Sequence, residues 1–298
     1  MPMKPAIVIS TAVLIVVDTL TRGVLERMKR NATGVYTGEV QVHSPDFLET
    51  SSMYRSLEKP DLVLEWAREQ GIGAVPRSFG FGLLAHDKRS AGARYWGIDP
   101  LAEDEVFELG KRIAPGRGRF LAAQAKGQVV LGHKLAKQLG VEPGDELVAV
   151  VQAADGSMGN ELFSVGGILR SVSDELDRGG ALLHQDDFER LFASAGRVHE
   201  VALHSRGERV PEQLKRSLDK RFGEEDTQTW KQLMPMMADM ERLGELNTWF
   251  MAGIFYLAAA LGVLNTMLMA TQERMRELGL TRALGASPLR LVGSMCLE

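Results

Sequence analysis

Asn247-Thr-Trp-Phe-Met-Ala-Gly-Ile-Phe-Tyr-Leu-Ala-Ala-Ala-Leu-Gly-Val-Leu-Asn-Thr-Met-Leu-Met-Ala-Thr-Gln272 runs for 26 residues without a charge. Glu273-Arg-Met-Arg-Glu-Leu-Gly-Leu-Thr-Arg-Ala-Leu-Gly-Ala286 follows it directly. A helix needs about 20 apolar residues to cross a bilayer core, so the first stretch is long enough. The second is a charged, glycine-punctuated amphipathic segment at the membrane exit. Together they predict a spanning helix followed by a short helix at the bilayer surface.

Working outward, a second apolar run, Ala6 to Val17, stands near the N-terminus behind Lys4. No Ala-x-Ala cleavage pattern follows it, so it reads as a transmembrane helix with a shortened start rather than a signal peptide. Val17, Leu20, Val24 and Met28 keep helical spacing beyond Asp18, which predicts an amphipathic stalk. Basic residues follow both runs: Arg22, Arg27, Lys29 and Arg30 after the first, Arg274, Arg276, Arg282 and Arg290 after the second. The positive-inside rule therefore does not choose an orientation.

Composition narrows the classes. The net charge of −4 over 298 residues argues against a nucleic-acid surface. Cys296 is the only cysteine, so there is no intrachain disulfide framework.

Between the apolar runs lies a body of mixed helix and strand patterning. Strands are predicted at Glu39–His43 (Val40 and Val42 on one face), Ala74–Ala85, Ala93–Ile98, Val129–Leu131, Glu146–Gln152, Leu162–Leu169, Ala181–His184 and Val198–His204. Helices are predicted at Pro60–Gln70, Pro100–Lys111, His133–Leu139, from Asp186 as cap to Phe192, and at Pro211–Phe222. A long helical stretch starts at Thr229, with Pro235 as a candidate kink. Short strands interleaved with helices favour an α+β body. The expected layout is a transmembrane helix and stalk at 1–30, a first lobe at 31–114 that returns at 196–228, and a second lobe inserted at 115–195. A stalk and second span at 229–272 and a cytoplasmic segment at 273–298 complete it.

The chemistry-bearing patterns are few. No Gly-x-x-x-x-Gly-Lys-Ser/Thr phosphate loop is present, so any ATP-driven step needs another chain. Gly80-Phe-Gly-Leu-Leu-Ala85 resembles a dinucleotide fingerprint only loosely, because it lies in a strand pattern and opens no helix. His43, His86, His133, His184, His199 and His204 lack zinc-ligand spacing. No Gly-x-Ser-x-Gly elbow occurs. Met234, Met236, Met237 and Met240 read as an adaptable packing surface rather than a soft-metal site. No catalytic residue, metal site or cofactor is predicted.

Two patterns point to contacts instead. Ala258, Gly262 and Thr266 recur at i, i+4 and i+8, a spacing that lets another helix approach closely. Asn265 puts an amide into hydrocarbon, where it calls for a hydrogen-bonding neighbour. Beyond the span, Glu273, Arg274, Arg276 and Glu277 begin the surface helix and Gly279 loosens it. Arg282, Ala283 and Leu284 follow, and Gly285 with Ser287-Pro288 ends it. Its charge pattern and small apolar face suit a docking knob for a cytoplasmic partner.

At these residues the chain resembles the FtsX/MacB/LolE-type permeases of ABC transporters. The resemblance is carried by Leu264-Asn-Thr-Met-Leu-Met269, Glu273-Arg-x-Arg-Glu-Leu-Gly279 and Arg282-Ala-Leu-Gly-Ala286. Gly38-Glu-Val-Gln-Val-His43 and the run from Val129 to Asp145 add to it. It implies a two-lobed MacB-like periplasmic core domain, α+β in class, flanked by transmembrane helices. It also implies that Glu273 to Ala286 is a coupling helix docked on a cytoplasmic ABC ATPase subunit, with ATP hydrolysed there and not on this chain. A second permease subunit, a periplasmic carrier or adaptor and membrane lipid are the other implied partners, in a bacterial inner membrane. A full permease of this kind has four spans, so the chain is read as a fragment lacking the last two.

Lipoprotein release is the expected transport activity; drug or peptide efflux of the MacB kind is the alternative. A two-span sensor receptor is the competing class, disfavoured because Gly279, Gly285 and Pro288 interrupt the heptads a receptor would need after its span. A membrane-tethered enzyme has no catalytic constellation to support it.

Overall fold

The computed structural model describes residues 3–45, 47, 53–124 and 126–285. Within its helices the side chains of some residues, Glu277 and Arg282 among them, fall outside the description, as do Ala286, Ser287, Pro288 and Cys296. Its elements are α1 (Met3–Ala32), β1 (Val40–His43), α2 (Pro60–Glu69), β2 (Gly73–His86), β3 (Arg89–Ile98), α3 (Pro100–Phe107), β4 (Ile113–Gly118) and β5 (Gln128–Leu131). There follow α4 (His133–Leu139), β6 (Glu146–Gln152), β7 (Met158–Leu169), α5 (Asp174–Gly179), β8 (Gly180–His184), α6 (Gln185–Phe192) and β9 (Glu200–His204). The last are α7 (Pro211–Arg221), β10 (Asp226–Thr229), α8 (Trp230–Leu233) and α9 (Pro235–Ala283). The class is α+β, as the patterning predicts. The chain divides into two compact units, residues 23–239 and residues 1–22 with 240–298.

In the first unit the strands run in the order β10-β1-β9-β2-β3-β8-β5-β7-β4, and β6 pairs with both β2 and β7. The pairings β2–β3, β3–β8, β8–β5, β5–β7, β7–β6 and β6–β2 return to their start, so six strands close a ring. Closure removes the free edges that an open sheet would expose. Leu84, Tyr95, Leu131, Leu147, Phe163 and Leu183, one from each ring strand, meet in one buried cluster. Leu135 and Leu139 of α4 and Phe188 and Phe192 of α6 complete it.

Long β2 serves both halves of the body. Along one edge, Gly73–Arg77 pairs with β9 and Gly82–Ala85 pairs with β6. Its other edge takes β3 across a two-residue turn at Asp87-Lys88, with Asp87 at φ 51°, a conformation Asp tolerates. Beyond β9, Val40, Val42, Val201 and Leu203 are buried with Val63 and Trp66 of α2 and Leu214 and Leu218 of α7. Each such side chain contributes about 1.5–3 kcal/mol relative to an exposed one.

Several boundaries differ from the sequence expectation. All four residues of β1 are buried, not only Val40 and Val42, because β1 lies between β9 and β10. His43 and Gln41 find partners inside: His43 Nε2 lies 3.2 Å from Glu200 Oε2, and Gln41 donates to the Thr37 carbonyl at 2.8 Å. The cap of α6 is His184, whose Nδ1 accepts from the Asp186 N–H, rather than Asp186 itself. Pro235 starts α9 at its first position, where a missing N–H has no helical partner to lose, so it does not kink a longer helix. β4, α5 and β10 are short and irregular in pattern and have no counterpart in the sequence reading.

The Gly80-Phe-Gly82 pattern serves packing. A Cβ on Gly80 would lie 2.3 Å from Phe192 of α6, and one on Gly82 would lie 2.5 Å from Val151 of β6. Gly80→Ala is expected to destabilise the body by about 1–3 kcal/mol, the usual range for overpacking a core. Chemical denaturation of the purified chain against wild type measures this; an unchanged midpoint would show that α6 moves aside freely.

Candidate coupling segment and a buried charge cluster

α9 runs unbroken for 49 residues, about 74 Å at 1.5 Å per residue. Between Pro235 at its start and Gly285 beyond its end it contains no proline. Gly285 takes φ 93°, the left-handed exit that glycine favours. Within Pro235–Arg276 an 18-residue window has a mean hydropathy of 1.7 and no part of it buried; among the described residues this is the one helix long and apolar enough to cross a membrane. The apolar run Ala6–Val17 and its expected stalk lie on the single helix α1, with Val17, Leu20, Val24 and Met28 exposed.

The residues expected to form the coupling segment lie at the end of α9. They form no separate short helix: helical backbone continues through Gly279 to Ala283. A lone glycine inside a helix costs only about 1 kcal/mol, and every amide there keeps its partner four residues back. Glu273, Arg274 and Arg276 are exposed, as are Gly279, Leu280, Ala283, Leu284 and Gly285. Glu277 and Arg282 are helical in backbone. At 100° per residue, Glu273, Arg276, Leu280, Ala283 and Leu284 fall within one arc about 100° wide. A charged pair is thus set beside a small apolar patch.

Ala258, Gly262, Asn265 and Thr266 share that same arc further up the helix. Thr266 donates to the carbonyl of Gly262 at 2.9 Å, so its hydroxyl is satisfied within its own helix. Asn265 is exposed and makes no hydrogen bond among the described residues. The stripe therefore offers a close-approach surface with one amide to satisfy.

A second constellation escaped the sequence reading. Arg77 of β2 is wholly buried with Glu103 of α3 and Glu200 of β9. Its Nε and Nη2 donate to Glu103 at 3.2 and 2.5 Å; Nη1 donates to Glu200 at 2.9 Å and to the Tyr36 carbonyl at 2.6 Å. The guanidinium lies 4.7 Å from the Phe107 ring centroid and 5.3 Å from that of Trp96. Burial alone would raise the Glu200 carboxyl, but the His43 hydrogen bond and the Arg77 charge outweigh it and hold it below the usual carboxylate range. Burial works against the Arg77 cation, yet Glu103 and Glu200 raise its pKa above the ordinary arginine value.

Perturbed groups of this kind often mark active sites. Here Arg77 and Glu103 expose about 1% or less of themselves, which gives a substrate no access. The cluster instead ties β1, β2, β9, α3 and the turn after α1 to one another. The available signal was a charged residue inside the apolar alternation of Val75, Arg77 and Phe79, on the inward phase of β2.

His199 is held inside the fold. His199 accepts the Phe79 N–H at Nδ1 and donates from Nε2 to the Met53 carbonyl, both at 3.0 Å, and its burial depresses its pKa. Among the described residues no group of three or more His, Cys, Asp or Glu side chains could hold a metal ion.

Two family models match the chain. The family described as the MacB-like periplasmic core domain matches residues 6–221, and the FtsX-like permease C-terminal family matches residues 249–298. An uncharacterised ABC transporter permease of Methanocaldococcus jannaschii is 28% identical over 190 residues, 61% of this chain and 45% of that protein. The lipoprotein-releasing system transmembrane protein LolC of Xylella fastidiosa is 23% identical over 222 residues, 72% of this chain and 53% of that protein. The chain thus spans about half the length of the curated relatives it matches. The crystal structure of the periplasmic region of MacB from Actinobacillus actinomycetemcomitans aligns with a TM-score of 0.48 at 14% identity, covering 70% of this chain and 95% of that one. With the core-domain match running from residue 6 to 221 and the permease match from 249 to 298, the chain belongs to the MacB/FtsX-type family of ABC transporter permeases.

Proposed function

We propose that this chain is the permease subunit of an inner-membrane ABC transporter that works on lipoproteins, with its core domain in the periplasm. The observation that carries the reading is the pairing, in one chain, of a core-domain match with a permease match whose residues lie on α9 and beyond. ATP hydrolysis belongs to a separate cytoplasmic subunit, which docks on Glu273, Arg274, Arg276 and Glu277 and on the small face from Gly279 to Gly285. A second permease subunit completes the transporter.

The body divides, on this reading, into a first lobe at 31–114 and 196–228 and a second at 115–195. Four of the six ring strands, β5, β6, β7 and β8, come from the second stretch, and β2 and β3 come from the first. The ring ties the two stretches together through β2 and β3.

Lipoprotein cargo draws its support from two relatives named as lipoprotein-releasing LolC proteins, those of Xylella fastidiosa and Neisseria meningitidis. Reconstitution of the chain with its ATPase partner in vesicles carrying a fluorescent triacylated peptide is the direct test. ATP-dependent appearance of the peptide on a soluble acceptor is expected. ATP-dependent export of a small hydrophobic dye, with the lipopeptide left in place, would overturn the cargo and leave the permease reading intact.

A further inference from the structure

Both helical connections of the core domain meet at one residue. Glu39, between the turn after α1 and β1, is 6% exposed. Its N–H donates to the Leu203 carbonyl of β9 at 2.8 Å, and its own carbonyl accepts the Trp230 N–H of α8 at 3.0 Å. Its carboxylate accepts from the N–H groups of Ser205 and Gly207 at 2.6 and 2.7 Å, and from the Ser205 hydroxyl. His204 Nδ1 lies 3.4 Å from the same carboxylate. Glu39 thus holds the end of β9, the loop behind it and the first residue of α8 at once.

The turn that leads from α1 to Glu39 has little freedom of its own. Gly38 takes φ 74°, and a Cβ there would lie 2.6 Å from the Leu203 carbonyl oxygen, so this corner requires glycine. The carbonyls of Thr33, Tyr36 and Thr37 accept from the Gly38 N–H at 2.9 Å, Arg77 Nη1 at 2.6 Å and Gln41 Nε2 at 2.8 Å. The chain therefore passes from α1 into β1 without a loose linker. On the other side, Thr229 and Gln232 form a capping box around the start of α8, and Trp230 is buried. A single residue, Met234, separates α8 from α9.

A buried carboxylate that accepts several donors is an ordinary way to satisfy a loop, and holding Ser205 to Gly207 would account for the Glu39 side chain alone. Its main chain adds what a loop clamp does not need. The peptide groups on either side of its Cα bond β9 in one direction and α8 in the other. The carboxylate, anchored on the loop behind β9, fixes where those peptide groups point. Displacing the turn after α1 therefore pulls on the Trp230 N–H, and displacing α8 pulls on that turn.

We infer that Glu39 is a joint that couples the turn after α1 to α8, with its peptide as the link and its carboxylate as the brace that keeps the link in place. The joint is a property of the core domain by itself. Its consequence for transport rests on the permease reading above.

Hydrogen–deuterium exchange of the full-length protein tests it, with Glu39→Gln and Thr229→Ala as variants. Glutamine keeps one acceptor oxygen and turns an NH2 toward donors, so the brace is lost while the size is kept. In Glu39→Gln, exchange is expected to rise about tenfold or more at residues 203–210, 33–40 and 228–234 together, with the ring strands β5 and β6 unchanged. Thr229→Ala removes the cap of α8 and leaves Glu39 intact. It is expected to raise exchange at 228–234 and, because coupling is reciprocal, at 33–40 and 203–210 as well. A rise confined to 203–210 in the first variant, or to 228–234 in the second, would overturn the joint and leave two independent clamps. If Glu39→Gln does not fold, Thr229→Ala carries the same decision. With the ATPase partner in vesicles, Glu39→Gln is expected to keep ATP hydrolysis and lose most transport. Linked exchange with wild-type transport would refute a part for the joint in transmission, with the permease reading standing. No ATP-driven transport by the wild type would remove the permease reading and leave the exchange result to decide the joint.

Discussion

Replacing Arg77 with leucine is expected to destabilise the core domain by about 3–5 kcal/mol, the range for breaking a buried ion pair from one side. For a body of this size that lowers the melting temperature by roughly 6–20 °C. The cause is what remains behind. Glu103 and Glu200 are both buried and both accept from the guanidinium. Without it they face each other with only the His43 hydrogen bond on the Glu200 side as compensation. Protonating one of them relieves the repulsion, so the loss in Arg77→Leu should shrink as pH falls toward the carboxylate range. Wild type behaves in the opposite sense through Glu200: its folded pKa lies below the unfolded value, so the stability it contributes is present near neutrality and is lost on acidification. Thermal melts of both proteins followed by circular dichroism between pH 7 and pH 4 separate these slopes. A loss below about 1 kcal/mol for Arg77→Leu would mean that water reaches the cluster and that it does not tie the strands together.

That cluster also shows where sequence reading stops. The long uncharged run was legible because membrane crossing is a property of local composition, and it lies on α9; the segment behind it, expected as a separate short helix, continues the same helix to Ala283. The helix His133–Leu139 and the turn Glu142-Pro143-Gly144-Asp145 were legible for a similar reason: glycine and proline punctuate locally. Ring closure was not, because it depends on β6 returning to β2 across more than 60 residues of chain, and no single strand records its partner. β4 and β10 escaped for another reason: Ile113–Gly118 holds a proline and two glycines, and Asp226–Thr229 has no apolar side chain to alternate. Arg77 itself carries a visible signal, a cation on the inward phase of a strand. Its partners come from α3 and β9, and they become evident only when the chain is folded.

Reversing the charged pair at the end of α9, with Glu273→Lys and Arg276→Glu together, is expected to abolish ATP-driven transport while leaving the core domain's melting temperature unchanged. The two side chains are exposed and lie on the same face as Leu280, Ala283 and Leu284, so their replacement removes no buried contact among the described residues and should cost the fold little. A docking knob of this kind works through electrostatic fit around a small apolar centre. Losing about 2 kcal/mol of that fit weakens the complex with the ATPase subunit roughly 30-fold. Gly285→Pro should act on the same contact by another route. Gly285 leaves the helix at φ 93°, which proline, fixed near −65°, does not adopt, so the chain beyond would exit in a different direction. Both variants should leave the isolated ATPase subunit hydrolysing ATP at its own rate and lower its co-purification with the permease. Coupled transport at wild-type level in either variant would show that the end of α9 is a membrane anchor and that the motor grips the permease elsewhere.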